Sequence, residues 1–386
     1  MESYLYQVHN LNKNTKFSKL APSTKSAILS YYTDTLGQLN ALQNIIKSES
    51  CPEVLEFIQQ HLDLNKHQKS IIITTKTKTY LEDGDFIDLR AIIDFKRVNN
   101  IRHVNGLFRA VNSMLPEGGI YIGRLETYWD RKLKIYRKYG RQIGRCLWLG
   151  DLVINRIIPR AYIFEALYYR ITQGEYHSMS RAEVLGRLVY CGFEIVDFKV
   201  IEGLSYFVFR KIGEPCQSDN PSFYPIIKLS RVGKQGKMIS VYKFRTMHPY
   251  SEYIQDYVIK LYGYNEKGKP ARDFRLTRWG KWMRKYGFDE LPQLINVLKG
   301  EMKLVGLRPL SRVRFNEFPD DLKTERIKYK PGCIPPYIAL CMPDDKMNIK
   351  AERIYISDLS LHPRSTDIRY FLKAVYNILT NKVSSS

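Results

Sequence analysis

The chain has 386 residues, 44% of them apolar, which is long enough for two compact units that each bury a core. Its 61 Lys plus Arg against 39 Asp plus Glu leave a formal charge of +22, a field that favours phosphates, anionic lipid or nucleic acid without choosing among them. Six cysteines with no C-x-x-C pair or Cys/His metal spacing argue for a reducing cytosol, and no apolar run reaches the roughly 18 to 20 residues that cross a bilayer.

Residues 1–68 read as a helical region. "STKSAILSYYTDTLGQLNALQNIIKS" opens on a Ser/Thr capping pair, and "CPEVLEFIQQHLD" has a proline in its first turn. From Ser70 the pattern becomes α/β: "SIIITT" reads as a strand, "NNIRHVNGLFRAVNSML" as an amphipathic helix, and "IYIGRLET" as a strand after the turn "PEGG". "SRAEVLGRLVYCGFEIVDFKVIEGLSYFVFRK" adds a helix with a capping box, Ser180 with Glu183, then Gly192 and two strands around Glu202 and Gly203. This succession resembles the C-terminal half of a class I methyltransferase domain. No G-x-G-x-G turn accompanies it, so the resemblance implies a degenerate Rossmann-like domain over 69–212 that serves as scaffold without methyl transfer.

Inside that domain, residues 128–173 thread aromatic and aliphatic side chains with Lys and Arg and almost no acids. One reading inserts Trp129, Trp148, Ile157, Ile158, Phe164 and Tyr168 into a headgroup layer; the other is a core helix with a solvated basic face. Residues 213–225, rich in Pro, Ser, Asn and Asp, read as a linker, and a second domain follows over 226–386.

The second domain opens on "LSRVGKQGKMISVYKFRTM", a basic turn followed by a strand with Lys243 and Arg245 on one face, which suits a diphosphate as well as it suits a plain basic hairpin. In "DFRLTRWGKWMRKYGFDELPQL", Thr277 caps a short helix bearing Trp279, Trp282, Met283 and Tyr286 among Arg275, Arg278, Lys281 and Arg284. Such a helix fits a membrane boundary or a packed core. Asp289 and Glu290 then precede Pro292, and a helix restarts with Leu291, Leu294, Ile295 and Leu298 at helical spacing. One acid at a helix start is explained by capping, worth about 0.5 to 2 kcal/mol. Two adjacent carboxylates repel, and the usual relief is a divalent metal or a division of labour in which one acid is nucleophile and the other a metal ligand.

Residues 227–380 resemble the bacterial sugar transferase family, the monotopic polyprenyl-phosphate phosphoglycosyl transferases. The matching pieces stand in the family's order: "RVGKQGKMISVYKFRTM", "DFRLTRWGKWMRK", "FDELPQLINVLKGEMKLVGLRPL", "YKPG" and the tail "ERIYISDLSLHPRSTDIRYFLKAVYNIL". The resemblance implies a compact mixed α/β catalytic domain, so the whole chain is expected to be α/β (α+β). It also implies transfer of a phospho-sugar from a UDP-sugar to polyprenyl (undecaprenyl) phosphate, initiating surface glycan, exopolysaccharide or O-antigen synthesis. On that resemblance Asp289 is the nucleophile, Glu290 holds the required Mg2+, and Lys243, Arg245, Arg275, Arg284 and Arg308 are phosphate clamps. Asp273 is either a second metal-side acid or, preferably, the partner of Arg275.

The sequence departs from the family pattern in three places. Upstream of "RVG" the family has a strongly apolar re-entrant helix bent at a proline; here stands "YFVFRKIGEPCQSDNPSFYPIIKLS". Leu307 replaces the first proline of Val-Gly-Pro-Arg-Pro, and "CIPPYIAL" replaces Ile-Thr-Gly-Trp after "YKPG", leaving Tyr337 as the nearby aromatic. Membrane contact is therefore expected from 128–173 and from 277–286. The expected location is the cytoplasmic face of the bacterial inner membrane, peripheral or monotopic, against an anionic lipid surface. The rival readings are a silent scaffold in a glycan assembly complex and a nucleic-acid binder. The second leaves the acid pair unexplained, so no nucleic-acid partner is expected.

Overall fold

A computed structural model describes residues 29–32, 36–64, 69–73, 89–160, 162–172, 177–217, 225–263, 270–342, 345–380 and 382. The chain is a mixed α/β protein that divides into two compact units, Met1–Asp219 with Tyr250–Lys269, and Asn220–Pro249 with Pro270–Ser386.

The first unit holds β1 (Leu29–Tyr32), α1 (Leu36–Glu49), α2 (Pro52–His61), β2 (Lys69–Ile73), β3 (Leu89–Arg97), α3 (Val104–Met114), β4 (Ile120–Leu125), α4 (Tyr128–Tyr139), α5 (Arg141–Leu152), α6 (Tyr162–Thr172), α7 (Arg181–Tyr190), β5 (Phe193–Ile201), β6 (Leu204–Lys211) and α8 (Gln255–Tyr262). Its six-stranded sheet runs β1-β2-β3-β4-β6-β5. Strands β2, β3 and β4 are parallel, while β6 is antiparallel to both β4 and β5. A parallel centre covered on both faces needs a nearly continuous apolar run, and β3 and β4 supply it: both are buried through most of their length. Phe57 and Ile58 of α2 pack into the same core as Phe95, Ile122 and Val208.

The N-terminal region is not wholly helical. Leu29–Tyr32, inside a stretch the sequence reads as helix, pairs antiparallel with β2, so partnering at a sheet edge overrides the local helical pattern. The Ser180 cap forms, with its hydroxyl accepting from Glu183 N at 3.1 Å. Glu183 binds Arg187 at 3.0 Å.

Tyr250–Lys269 lies within the span that the sequence assigns to the second domain, yet it groups with the first unit. Tyr250 is buried there: Asn105 donates to its hydroxyl at 2.7 Å and the Arg187 guanidinium lies 4.5 Å above its ring. Its carbonyl approaches Gly186 of α7 so closely that a Cβ at Gly186 would lie 2.0 Å from the oxygen.

The second unit holds β7 (Ile226–Val232), β8 (Met238–Phe244), α9 (Arg278–Tyr286), α10 (Leu294–Leu298), β9 (Lys303–Val305), α11 (Arg312–Asn316), α12 (Asp320–Arg326), β10 (Gly332–Ile334), α13 (Pro336–Leu340), α14 (Asp345–Leu361) and α15 (Thr366–Leu379). Strands β7 and β8 form an antiparallel hairpin, and β9 and β10 a short parallel pair. The core gathers Val305, Leu307, Ile338, Tyr355, Tyr370 and Ala374. The glycines of "LVGLRP" and "YKPG" meet: a Cβ on Gly332 would lie 2.1 Å from the Gly306 nitrogen. Only glycine permits that backbone approach.

Candidate active site

The site of the second unit is built on the hairpin. Its register pairs Ile227 with Lys243, Leu229 with Val241 and Arg231 with Ile239, so Lys243 and Arg231 share one face. Beyond β8 the chain is fixed by backbone bonds, Arg245 N to Pro225 O at 2.7 Å and His248 N to Arg275 O at 2.8 Å. The Thr246 carbonyl accepts both the N–H and the hydroxyl of Thr277, at 3.0 and 2.9 Å. Thr277 also caps α9, its hydroxyl accepting from Gly280 N at 2.9 Å. Gly280 is required at that position because a Cβ would lie 2.1 Å from the Thr246 oxygen.

Helix α9 stops at Gly287, whose left-handed φ of 71° turns the chain into a 3-10 turn over Phe288–Gln293 that carries Asp289 and Glu290. Buried Asn296 locks this segment to the hairpin. Its carbonyl oxygen accepts from Tyr242 N at 3.1 Å, and its amide donates to Ser240 O and Glu301 at 2.7 Å.

Lys243 reaches Glu290 at 2.5 Å, although the two stand 47 positions apart. Asp289 is only 9% exposed. Burial pushes its carboxyl above the ordinary aspartate range, the Lys243 ammonium opposes that rise, the Glu290 carboxylate adds to it, and Arg284 lies within charge reach. The Arg284 side chain is held by a 2.9 Å bond from its Nε to the Thr246 hydroxyl. The arrangement is a buried carboxylate, made a stronger base by desolvation, beside a lysine and an arginine able to neutralise phosphoryl oxygens.

The expected residues do not all stand in that cluster. Arg275 is 3% exposed and forks onto Asp273 at 2.9 and 2.8 Å, the partner role preferred for Asp273, and both charges reach Arg284. Arg245 follows the strand end and is held by its backbone. Arg308 is exposed and lies 5.8 Å over the Tyr337 ring. Sequence reasoning left Cys333 and Arg231 out. Burial pushes the Cys333 thiol to about 11, with Glu290 adding to the rise. Burial also raises Tyr337, with Arg308 opposing and Glu290 adding, so both β10 and α13 bring side chains within charge reach of the acid pair. Leu291, Leu294, Ile295 and Leu298 keep helical spacing but face outward; Leu298 is 88% exposed. With Trp279, Trp282, Tyr286 and Phe288, also exposed, they form an apolar rim beside the acids.

Mg2+ asks for one or two protein carboxylates, with substrate phosphates and water completing its octahedron. Glu290, with its side chain 34% exposed, and the adjacent Asp289 meet that demand. Among the described residues the cluster with metal-ligand spacing, Cys51, Glu53 and Glu202, belongs to the first unit.

Residues 205–381 match the bacterial sugar transferase family. A galactosyl transferase, CpsE, of Streptococcus agalactiae is 39% identical over 108 residues, 28% of this chain and 24% of its own length. An undecaprenyl-phosphate galactose phosphotransferase of Salmonella typhimurium is 40% identical over 97 residues, 24% of this chain and 20% of its own. A UDP-N-acetylgalactosamine-undecaprenyl-phosphate N-acetylgalactosaminephosphotransferase of Aeromonas hydrophila is 32% identical over 158 residues, 39% of this chain and 34% of its own. The chain thus spans about a third or less of the length of these relatives. The sugar transferase match begins inside β6, a strand of the six-stranded sheet. Among the described residues no helix is long and apolar enough to cross a membrane.

Proposed function

We propose that the protein is a phosphoglycosyl transferase that moves a sugar phosphate from a UDP-sugar to polyprenyl phosphate. The observation that carries this reading is the Asp289 carboxylate, buried beside Lys243, Glu290 and Arg284 within the region matched to the sugar transferase family. An Asp289 oxygen attacks the sugar-proximal phosphorus; the bond to the bridging oxygen breaks and UMP leaves with that electron pair. The lipid phosphate oxygen then attacks the same phosphorus, and the Asp289 carboxylate departs unchanged. Lys243 and Arg284 neutralise the phosphoryl oxygens and hold the donor in line, and Arg245 and Arg308 supply further positive charge. Bound Mg2+, held by Glu290, would draw charge from the phosphoryl oxygens.

The lipid acceptor requires the enzyme at a membrane surface, the cytoplasmic face of the bacterial inner membrane. In the first unit, α4 to α6 expose Leu133, Ile143, Leu147, Ile154, Phe164 and Ile171 alongside the exposed cations Arg137, Lys138, Arg141 and Arg145. Such a surface suits anionic lipid. The insertion set expected from sequence changes in part. Tyr168 is buried and bonded to Asn155 at 3.1 Å, and Trp129 and Trp148 are half-buried around the Lys132 ammonium, 4.9 and 4.4 Å from their ring centres.

The test is incubation with detergent-solubilised polyprenyl phosphate, magnesium and a panel of UDP-sugars, with UMP release as the readout. Release requires magnesium and is lost in Asp289→Asn. Undiminished release by that variant would remove Asp289 from its role.

A further inference from the structure

The cations of α4 divide by what holds them. Arg131 is committed to Asp151 at 2.6 Å, and Lys134 to Glu126 at 2.6 Å. Lys132, between them in the chain, has neither a carboxylate partner nor a hydrogen bond among the described residues. Its ammonium lies instead over three rings, 4.9 Å from the centre of Trp129, 5.0 Å from Tyr136 and 4.4 Å from Trp148.

The local fold builds this cage. Trp129, Lys132 and Tyr136 stand three and four positions apart on α4 and so share a face. Gly140, with a φ of 74°, turns the chain directly into α5. The two helices close on each other at Gly144, where a Cβ would lie 3.0 Å from the Tyr136 ring. Trp148 stands about one turn further along α5 and brings in the third ring.

An aromatic face attracts a cation through its quadrupole and carries no net charge of its own. The rings therefore fix the ammonium in place and leave its positive charge unspent, whereas a carboxylate would have cancelled it. The Tyr136 hydroxyl and the Trp148 indole N–H add two donors to the same cage, and neither has a hydrogen-bond partner among the described residues. A fixed cation with further donors and no acceptor is matched by an oxygen-rich anion, a phosphate. The surroundings favour one source of it. Leu133, beside Lys132, is 61% exposed; Leu147, beside Trp148, is 45% exposed, and Ile143, one turn earlier, 64%. A soluble phosphate gains nothing from an apolar collar, while a lipid headgroup arrives with acyl chains that cover one.

We propose that Lys132, caged by Trp129, Tyr136 and Trp148, anchors the phosphate of an anionic membrane lipid. The choice of a lipid rests on the membrane reading of α4 to α6 given above; the caged, unpaired ammonium does not.

The test is flotation of the full chain with vesicles of phosphatidylcholine, alone and with added phosphatidylglycerol. Wild type, Lys132→Met, Arg137→Met, Trp148→Leu and the Lys132→Met/Trp148→Leu double variant are compared. Methionine keeps the apolar stem of Lys132 and removes its charge, and Arg137, exposed on the same helix, reports what losing one charge does through the surface field alone. Lys132→Met lowers binding to the phosphatidylglycerol vesicles by about tenfold, well beyond Arg137→Met. Trp148→Leu keeps the charge but opens the cage and also weakens binding. The double variant loses less than the product of the two, because ring and ammonium hold one headgroup. The chain has four tryptophans, so in a Trp279→Phe/Trp282→Phe background the indole emission comes from Trp129 and Trp148. That emission shifts when the anionic vesicles are added, and the shift disappears with Lys132→Met. Thermal melts check that each variant is folded; Lys132→Met carries the test if Trp148→Leu is not. Equal losses in Lys132→Met and Arg137→Met overturn the anchor and leave the surface reading standing. Absence of wild-type flotation overturns both. An emission shift with water-soluble glycerol phosphate as large as that with vesicles assigns the cage to a free phosphate and overturns the lipid anchor.

Discussion

Asp289 is held between opposed influences, and their signs can be measured. Its carboxyl is raised above the ordinary value of 3.8 by burial, lowered by Lys243 and raised again by Glu290. The nucleophile acts only when deprotonated, so kcat/KM for the donor rises with pH along an acid limb whose midpoint lies above 3.8. Lys243→Met removes a lowering charge and moves that limb to higher pH. Glu290→Gln removes a raising charge and moves it lower, whatever it does to the maximal rate. Limbs that stay in place in both variants would contradict this electrostatic account. The adjacent acids were legible in the sequence because a pair amid so many cations is conspicuous. Lys243 as their partner was not, because the 47 intervening positions hide a contact that only the hairpin and the 3-10 turn create.

Single backbone approaches decide how the site's elements are set. Gly280→Ala puts a methyl where the Thr246 oxygen lies 2.1 Å away, so α9 must shift off the end of β8. The expected result is loss of most activity, with circular dichroism near wild type. Full activity would show that α9 has room to move. Asn296→Ala strands backbone groups of β8 and is expected to lower unfolding free energy by about 1 to 3 kcal/mol in a denaturant titration. Strand β3 carries a different signal. Asp94, buried in it, is pushed by burial from 3.8 to about 7, against the Lys96 backbone N–H and ammonium. The folded form keeps its proton across that window while the unfolded chain has lost it, so the stabilisation that Asp94 contributes is full below about 3.8 and is lost as pH rises to about 7. Asp94→Asn should flatten that decline in thermal melts between pH 4 and pH 8; an unchanged slope would assign it to other groups. Helical spacing revealed α9 and α10 but not the direction of their apolar faces, because periodicity marks a stripe and leaves open whether core or surroundings cover it. Leu29–Tyr32 was misread because its strand exists only through pairing with β2.

At the scale of the whole molecule, the sequence announced an α/β chain with chemistry in its second half, and the sugar transferase match covers that half. It gave no sign that Tyr250–Lys269 joins the first unit, since buried Tyr250 and its Asn105 and Arg187 neighbours lie far apart along the chain. The net charge of +22 becomes useful once the exposed apolar residues of α4 to α6 stand beside exposed arginines. Flotation with anionic vesicles should fall at least tenfold in Arg141→Glu/Arg145→Glu, each cation being worth about 1 kcal/mol near such a surface, and again in Ile143→Glu/Leu147→Glu. Equal flotation of both variants and wild type would place lipid contact elsewhere. The most direct test of the central claim is the intact mass of the enzyme incubated with a UDP-sugar and magnesium in the absence of any lipid acceptor. The account predicts a gain of one sugar phosphate, stoichiometric UMP, localisation of the adduct to the peptide containing Asp289, and its disappearance on adding polyprenyl phosphate. UMP formed only when the lipid is present, with no adduct at any time, would contradict it.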